Sequence, residues 1–117
     1  GQVEKGLSML TEALAILDRS GERYFEAEIH RLRGALQHMQ REESEAETSL
    51  RQAIAVAREQ GARSWELRAT VSLCRLWQQQ GRREEAREKL ARIYGWFNEG
   101  FDTPDLSDAR ALLASLS

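Results

Sequence analysis

The chain has little of what interrupts or cross-links a fold, with one proline, Pro104, and one cysteine, Cys74, among 117 residues. Because proline breaks helices, its scarcity leaves long helices possible along most of the sequence. A lone cysteine excludes an internal disulfide, the bond on which many small secreted domains depend. The chain therefore fits a reducing compartment, and we expect a cytoplasmic protein.

Long apolar runs and an excess of one charge are also missing. No run approaches the roughly 18 apolar residues that span a bilayer, so no membrane association is expected. Basic residues number 17 and acidic residues 19, which gives a net charge of −2. Nucleic-acid binding is disfavoured, because it needs a strongly basic face. A nucleic-acid-binding helical repeat therefore remains only an alternative.

Residues that could carry chemistry are few and scattered. The only histidines, His30 and His38, would lie about 12 Å apart along one helix, too far to share a metal ion. No glycine-rich loop offers a phosphate cradle. Cys74 lies 40 residues after Gly34, in the repeat described next, which indicates a small packing residue and not a nucleophile. We expect no catalytic residue, metal site or cofactor, and no enzymatic activity.

The sequence does contain a repeat. Small and apolar residues return every 40 positions in three sets: Gly6, Ala46 and Ala86; Leu10, Leu50 and Leu90; and Ala13, Ala53 and Ile93. A fixed period of this size is typical of stacked helical units, each of which buries its apolar face only against its neighbours.

Apolar stripes at helical spacing divide the chain into six predicted helices. Gly21, Gly61 and Gly81 are expected to end the first, third and fourth helices, as left-handed caps. The predicted helices are Val3–Arg19, Tyr24–Gln40, Ser44–Gln60, Ser64–Gln80, Arg83–Trp96 and a short segment that begins at Thr103.

These helices predict an all-α fold, a tetratricopeptide-like array of helical hairpins wound as a right-handed superhelical solenoid. The single domain 1–117 would consist of the second helix of a truncated repeat at 1–20, repeats at 24–61 and 64–97, and a C-terminal capping helix at 103–117.

Small residues favour the tetratricopeptide pattern among helical repeats. Gly34, Ala46 and Ala53 match its small positions. His30 and Gln37 stand where that pattern has aromatic residues, and the period of 40 exceeds the usual repeat of about 34 residues. A HEAT-like structural scaffold shares the longer period and is the second interpretation.

Three stretches carry a more specific resemblance: residues 21–34, 61–69 and 94–106. On these stretches the chain resembles the C-terminal repeat region of large bacterial signalling proteins. In that family a class III adenylate or guanylate cyclase, a kinase or a DNA-binding domain is joined to an AAA-like ATPase. The resemblance covers nearly the whole chain and implies a regulatory scaffold segment. Its partners would be protein or peptide segments, including other domains of the same polypeptide.

The repeat alignment also predicts an inner surface formed by the first helix of each pair. Its residues are Glu28, Arg31, Ala35 and His38 in one unit and Arg68, Val71, Arg75 and Gln78 in the next. We hypothesise that Arg31, Arg68 and Arg75 form a shallow basic strip for an acidic or C-terminal peptide, since guanidinium groups fit carboxylates. A solvated face without a ligand explains the same residues more plainly.

Aromatic residues are expected mainly inside the array. Trp65, Trp77 and Trp96 are large enough to fill the spaces between helices. Among them, Trp96 with its neighbour Phe97 has the best chance of partial exposure and of touching a partner.

The N-terminal end of the array is a further expected contact surface. If the first helix belongs to a truncated repeat, Met9, Ala13 and Ile16 lose part of their cover. Exposed apolar patches favour association, so we expect self-association through this end.

Overall fold

A computed structural model of the protein describes residues 1–20, 25–96 and 104–116. Within these ranges the chain is all-helical and contains no strand, which confirms the predicted all-α class. The described helices are α1 Gln2–Ser20, α2 Glu26–Met39, α3 Glu43–Gln60, α4 Arg63–Gln79, α5 Arg83–Tyr94 and α6 Pro104–Leu116.

The end of α5 differs from the prediction, which placed it at Trp96. The helix ends at Tyr94, and Gly95 and Trp96 form a turn. Glycine has a low helix propensity because it loses the most backbone entropy on folding. The predicted cap at Thr103 lies outside the described residues.

Left-handed residues follow three of the described helices. Gly61, with φ of 68°, ends α3, and Gly81, with φ of 80°, follows α4, both as predicted. The predicted cap Gly21 lies outside the described residues. Arg41, which follows α2, also has a positive φ, of 62°, which the residue type alone does not indicate, since arginine rarely adopts this conformation.

The turns after α2 and α4 nevertheless have the same backbone geometry. Arg41 and Gly81 are equivalent, because they lie 40 residues apart. The N–H of Arg41 donates to the carbonyl of His38 at 3.0 Å, and the N–H of Gly81 donates to the carbonyl of Gln78 at 3.1 Å. The 40-residue period is therefore repeated in the backbone conformation of these turns, even where the residue type changes.

Each described helix packs against the next, while α2 also contacts α4, and α4 contacts α6. α2 and α3 lie close together at Gly34, where a Cβ would lie 2.7 Å from Leu50 Cγ and 3.2 Å from the carbonyl oxygen of Ala46. One period later, the thiol of Cys74 donates to the carbonyl oxygen of Ala86 at 3.3 Å. Both hairpins thus place a small residue on the first helix against an alanine on the second.

The repeated leucines lie in related but unequal environments. Leu50 and Leu90 are fully buried in the core, with exposures of 1% and 0%. Leu10 is only half-buried, because α1 packs against α2 alone among the described helices. The main core therefore lies among α3, α4, α5 and α6.

The tryptophans differ in burial. Trp77 is buried, as predicted, and its indole N–H donates to Glu47 at 3.2 Å while Arg82 lies 4.6 Å from the ring centroid. Trp65 is half-buried, so it fills the space between helices only in part. Trp96 is 44% exposed. This corrects the expectation that it fills a space between helices, and it agrees with the prediction that Trp96 is the tryptophan most open to partial exposure. The turn after Tyr94 explains this, since it carries Trp96 beyond the end of the helix.

Candidate functional site

Four of the eight predicted inner-surface residues, Arg31, Arg68, Val71 and Arg75, line one groove between α2, α4 and α6. The groove has a volume of about 260 Å³ and is lined by Arg31, Arg68, Val71, Ser72, Arg75, Asp105 and Asp108. The three predicted arginines therefore lie around one groove. Val71, which was predicted to lie on the inner surface, is only 4% exposed. The reason is that it belongs to the core cluster as well as to the groove wall.

The arginines do not form the expected basic strip, because acidic side chains lie between them. Arg68 donates from Nε to Asp105 at 3.1 Å and from a terminal nitrogen to Glu28 at 3.0 Å. Arg31 donates to Glu28 at 2.7 Å. The hydrogen bond to Asp105 raises the pKa of Arg68. The groove is therefore of mixed charge, and Arg68 connects α2, α4 and α6.

The repeat itself could have indicated one of these pairs. Glu28 and Arg68 lie 40 residues apart and so occupy the same position on successive first helices. Asp108, one further period along, lines the same groove. Acidic and basic residues therefore alternate along one row, and the row is stabilised from within the chain. The bonds from Arg68 to Asp105 and from Arg31 to Glu28 lie outside this pattern.

Two other predicted residues, His38 and Gln78, contact neighbouring helices. His38 Nε2 lies 2.7 Å from the side-chain oxygen of Gln79 on α4. Gln78 donates to Ser115 on α6 at 3.0 Å. Arg75 is exposed and, within the described part of the chain, makes no hydrogen bond or ion pair. Of the predicted strip, Arg75 is thus the residue that a ligand could reach without displacing an internal partner.

A second cavity was missed by the sequence analysis. It has a volume of about 350 Å³ and is lined by Arg58, Glu66, Thr70, Lys89, Arg92, Ile93 and Trp96. Its basic residues come from the last turn of α3 and the second half of α5, which no local pattern relates to each other. The sequence gives Trp96 the best chance among the tryptophans of touching a partner, and Trp96 lines this cavity. Phe97 lies outside the described residues.

A third surface is apolar and covers the outer side of α1 and α2. Met9 and Ile16 on α1 are 68% and 54% exposed, which confirms their expected loss of cover, while Ala13 is half-buried. Three more apolar residues, at seven-residue spacing along one side of α2, extend the surface: Phe25, Leu32 and Met39. We call this surface of α1 and α2 the N-terminal apolar face.

The structure shows how the possible metal ligands of the described residues and the Cys74 thiol are placed. No three or more histidine, cysteine, aspartate or glutamate side chains there are placed to hold a metal ion. Burial raises the pKa of the Cys74 thiol to about 12, so the thiolate that a nucleophile requires is negligible at neutral pH. Cys74 therefore serves as a packing residue, as its alignment with Gly34 predicted.

None of the described helices has both the length and the apolar character needed to cross a bilayer. Comparisons of the chain with protein-family models, curated proteins and solved structures found no match.

Proposed function

We propose that the chain is a protein-interaction and regulatory segment built as a tetratricopeptide-like solenoid. We further propose that it forms the C-terminal part of a larger cytoplasmic signalling ATPase or nucleotide cyclase, in line with its family resemblance. One observation supports an interaction role above all. The exposed N-terminal apolar face occupies the positions that, one period later, form contacts between helices inside the protein.

The contact between α2 and α4 defines these positions. The ring of Trp65 on α4 lies 5.8 Å from that of Phe25, and Gln79 contacts His38 at 2.7 Å. One period earlier, Trp65 corresponds to Phe25 and Gln79 to Met39. Phe25 and Met39 therefore lie where a further helix would contact α2, and they are 60% and 70% exposed.

The contact between α3 and α2 indicates in the same way where a further helix would contact α1. Ser49 on α3 is buried and donates to Gln37 on α2 at 2.7 Å. One period earlier, Ser49 corresponds to Met9. The N-terminal apolar face thus fits an amphipathic helix that lies along α1 and α2 as α2 lies along α3 and α4. Full burial of one large apolar side chain contributes about 1.5–3 kcal/mol, so a few such residues can support specific binding.

A test uses self-association, since a second copy is the available partner when the chain is alone. We expect the weight-average mass from light scattering to rise above the 13.4 kDa of the monomer as concentration increases to the millimolar range. A Met9→Lys, Met39→Lys variant should remain monomeric, because charged side chains are costly to bury. Ala55→Lys, at an exposed position on α3, is the matched control and should associate like the parent.

A strict monomer at millimolar concentration, or association unchanged by the double substitution, would contradict the proposed face. The two alternatives have less support. A nucleic-acid-binding repeat needs an extended basic face, whereas Arg31 and Arg68 are already paired with carboxylates. A HEAT-like scaffold would not by itself account for the small-residue crossings at Gly34 and Cys74.

A further inference from the structure

The cavity that Trp96 lines contains more positive than negative charge. Arg58 from α3 and Lys89 and Arg92 from α5 all line it, and Glu66 from α4 is the one carboxylate among its described lining residues. Lys89 and Arg92 lie three positions apart on α5, a spacing that places both side chains on one side of a helix. Three cations and one carboxylate leave two positive charges uncompensated.

Glu66 is already occupied by one of the cations. Its side chain is 4% exposed and pairs with Arg58 at 3.0 Å. Among the described residues, neither Lys89 nor Arg92 has a hydrogen-bonded or ion-paired carboxylate. The free positive charge of the cavity is therefore concentrated on α5.

The environment of Lys89 disfavours an isolated cation. Burial lowers the pKa of Lys89, and the nearby charges of Arg51 and Arg58 lower it further. Desolvation and like charges both destabilise an ammonium group, and an anion placed between the cations would relieve both effects. This excess of positive charge is the electrostatic arrangement of an anion site. In an internal ion-pair network the positive and negative charges would balance.

Trp96 adds a flat apolar wall to the same cavity. The side chain is 44% exposed, although most large apolar residues of the central helices are buried. An accessible indole beside cations can stack on a planar ring whose substituent carries negative charge. The volume of about 350 Å³ lies within the range of about 300–1,000 Å³ for pockets that hold small molecules.

We propose that this cavity binds a small phosphate monoester that also contains a flat aromatic ring, with the phosphate at Lys89 and Arg92 and the ring on Trp96. A phosphate monoester has a charge of about −1.5 to −2 at neutral pH, which matches the two uncompensated cations. A single carboxylate would balance only one of them. Arginine also offers the forked geometry that suits phosphate oxygens.

Isothermal titration calorimetry with the whole chain tests this assignment, using adenosine monophosphate as the probe. We expect adenosine monophosphate to bind more tightly than ribose 5-phosphate, inorganic phosphate to bind more weakly still, and adenosine not to bind. Lys89→Gln and Arg92→Gln should each weaken binding by about tenfold or more, the effect of losing one charge-assisted hydrogen bond. Arg87→Gln is the matched control, because Arg87 lies on α5 and pairs with Glu84 outside the cavity.

The ring contact has its own readout. Trp96→Ala should remove the preference for adenosine monophosphate over ribose 5-phosphate and leave the affinity for ribose 5-phosphate within about twofold. Circular dichroism establishes that each variant is folded before it is titrated. The assignment is overturned if adenosine monophosphate fails to bind at millimolar concentration, or if binding is unaffected by Lys89→Gln and Arg92→Gln. A phosphoserine peptide that binds more tightly than the nucleotide would also overturn it, in favour of a protein ligand. None of these outcomes depends on the N-terminal apolar face.

Discussion

Replacing Gly34 by alanine tests whether the close crossing of α2 and α3 determines stability. Alanine is favoured over glycine in a helix interior by about 1 kcal/mol. Against this, the new Cβ would lie 2.7 Å from Leu50 Cγ and 3.2 Å from the carbonyl oxygen of Ala46. Leu50 is 1% exposed and cannot rotate away, and such overpacking costs about 1–3 kcal/mol. We expect the clash to outweigh the propensity, with a net loss of up to about 2 kcal/mol.

Gly6→Ala is the matched control for this substitution. Its Cβ would meet only Leu36 Cδ1, at 2.9 Å, and Leu36 is a half-buried side chain that can move. Both variants gain the same helix propensity, so the difference between their unfolding free energies isolates the crossing, and it should be about 1–3 kcal/mol. Urea unfolding followed by circular dichroism measures both values.

A second background makes the cause specific. Leu50→Ala removes the atoms that the new Cβ approaches most closely, at a cost of about 2–5 kcal/mol. That cost is smaller than the stability of most domains, about 5–15 kcal/mol. In the Leu50→Ala background, Gly34→Ala should become neutral or stabilising. Two results would contradict the clash with Leu50. One is that Gly34→Ala stabilises the parent as much as Gly6→Ala does. The other is that Gly34→Ala still lowers the unfolding free energy in the Leu50→Ala background.

Two further predictions concern Cys74 and the left-handed turns. The pKa of the Cys74 thiol is about 12 in the fold against an ordinary 9.0, so the folded state binds the proton more tightly. The resulting stabilisation is complete below pH 9.0 and is lost as the pH rises towards about 12. Over that range the unfolding free energy of the parent, measured by urea titration, should fall relative to that of Cys74→Ala. Unfolding free energies that follow the same pH dependence in both proteins would contradict this. Arg41→Gly should raise the unfolding free energy by about 0.5–1 kcal/mol by relieving a positive φ. Gly81→Ala should lower the unfolding free energy by a similar amount, although a Cβ at this position meets nothing within 4 Å. An unchanged unfolding free energy in either variant would contradict this.

The helices and their crossings could be predicted because they follow from local spacing. Apolar stripes fix the helices to within a few residues. Small residues 40 positions apart, such as Gly34 and Cys74, identify where helices approach closely. The left-handed turn at Arg41 could also have been inferred, because Gly81 stands one period later, but only by giving the repeat more weight than the conformational preference of arginine.

The partners of the groove residues were harder to predict. The pairing of Glu28 with Arg68 follows from the repeat, since equivalent positions on successive first helices face each other. The bond from Arg68 to Asp105 depends on where α6 begins and on the path of the chain between α5 and α6, and no period fixes either. The cavity around Lys89 and Trp96 was missed for a related reason, because it combines residues of three different helices with the turn after α5.

The two surfaces considered for protein binding differ in what they can contribute to affinity. An acidic peptide entering the groove would have to compete with Glu28 and Asp105 for Arg68, and exchange of one partly exposed ion pair for another yields only about 0–1 kcal/mol. Met9 and Met39 are 68% and 70% exposed, so a helix that covers them removes apolar surface from water without displacing an internal partner. Since complete burial of such a side chain contributes about 1.5–3 kcal/mol, the N-terminal apolar face should supply most of the affinity for a protein partner, and the groove should mainly hold α2, α4 and α6 in register.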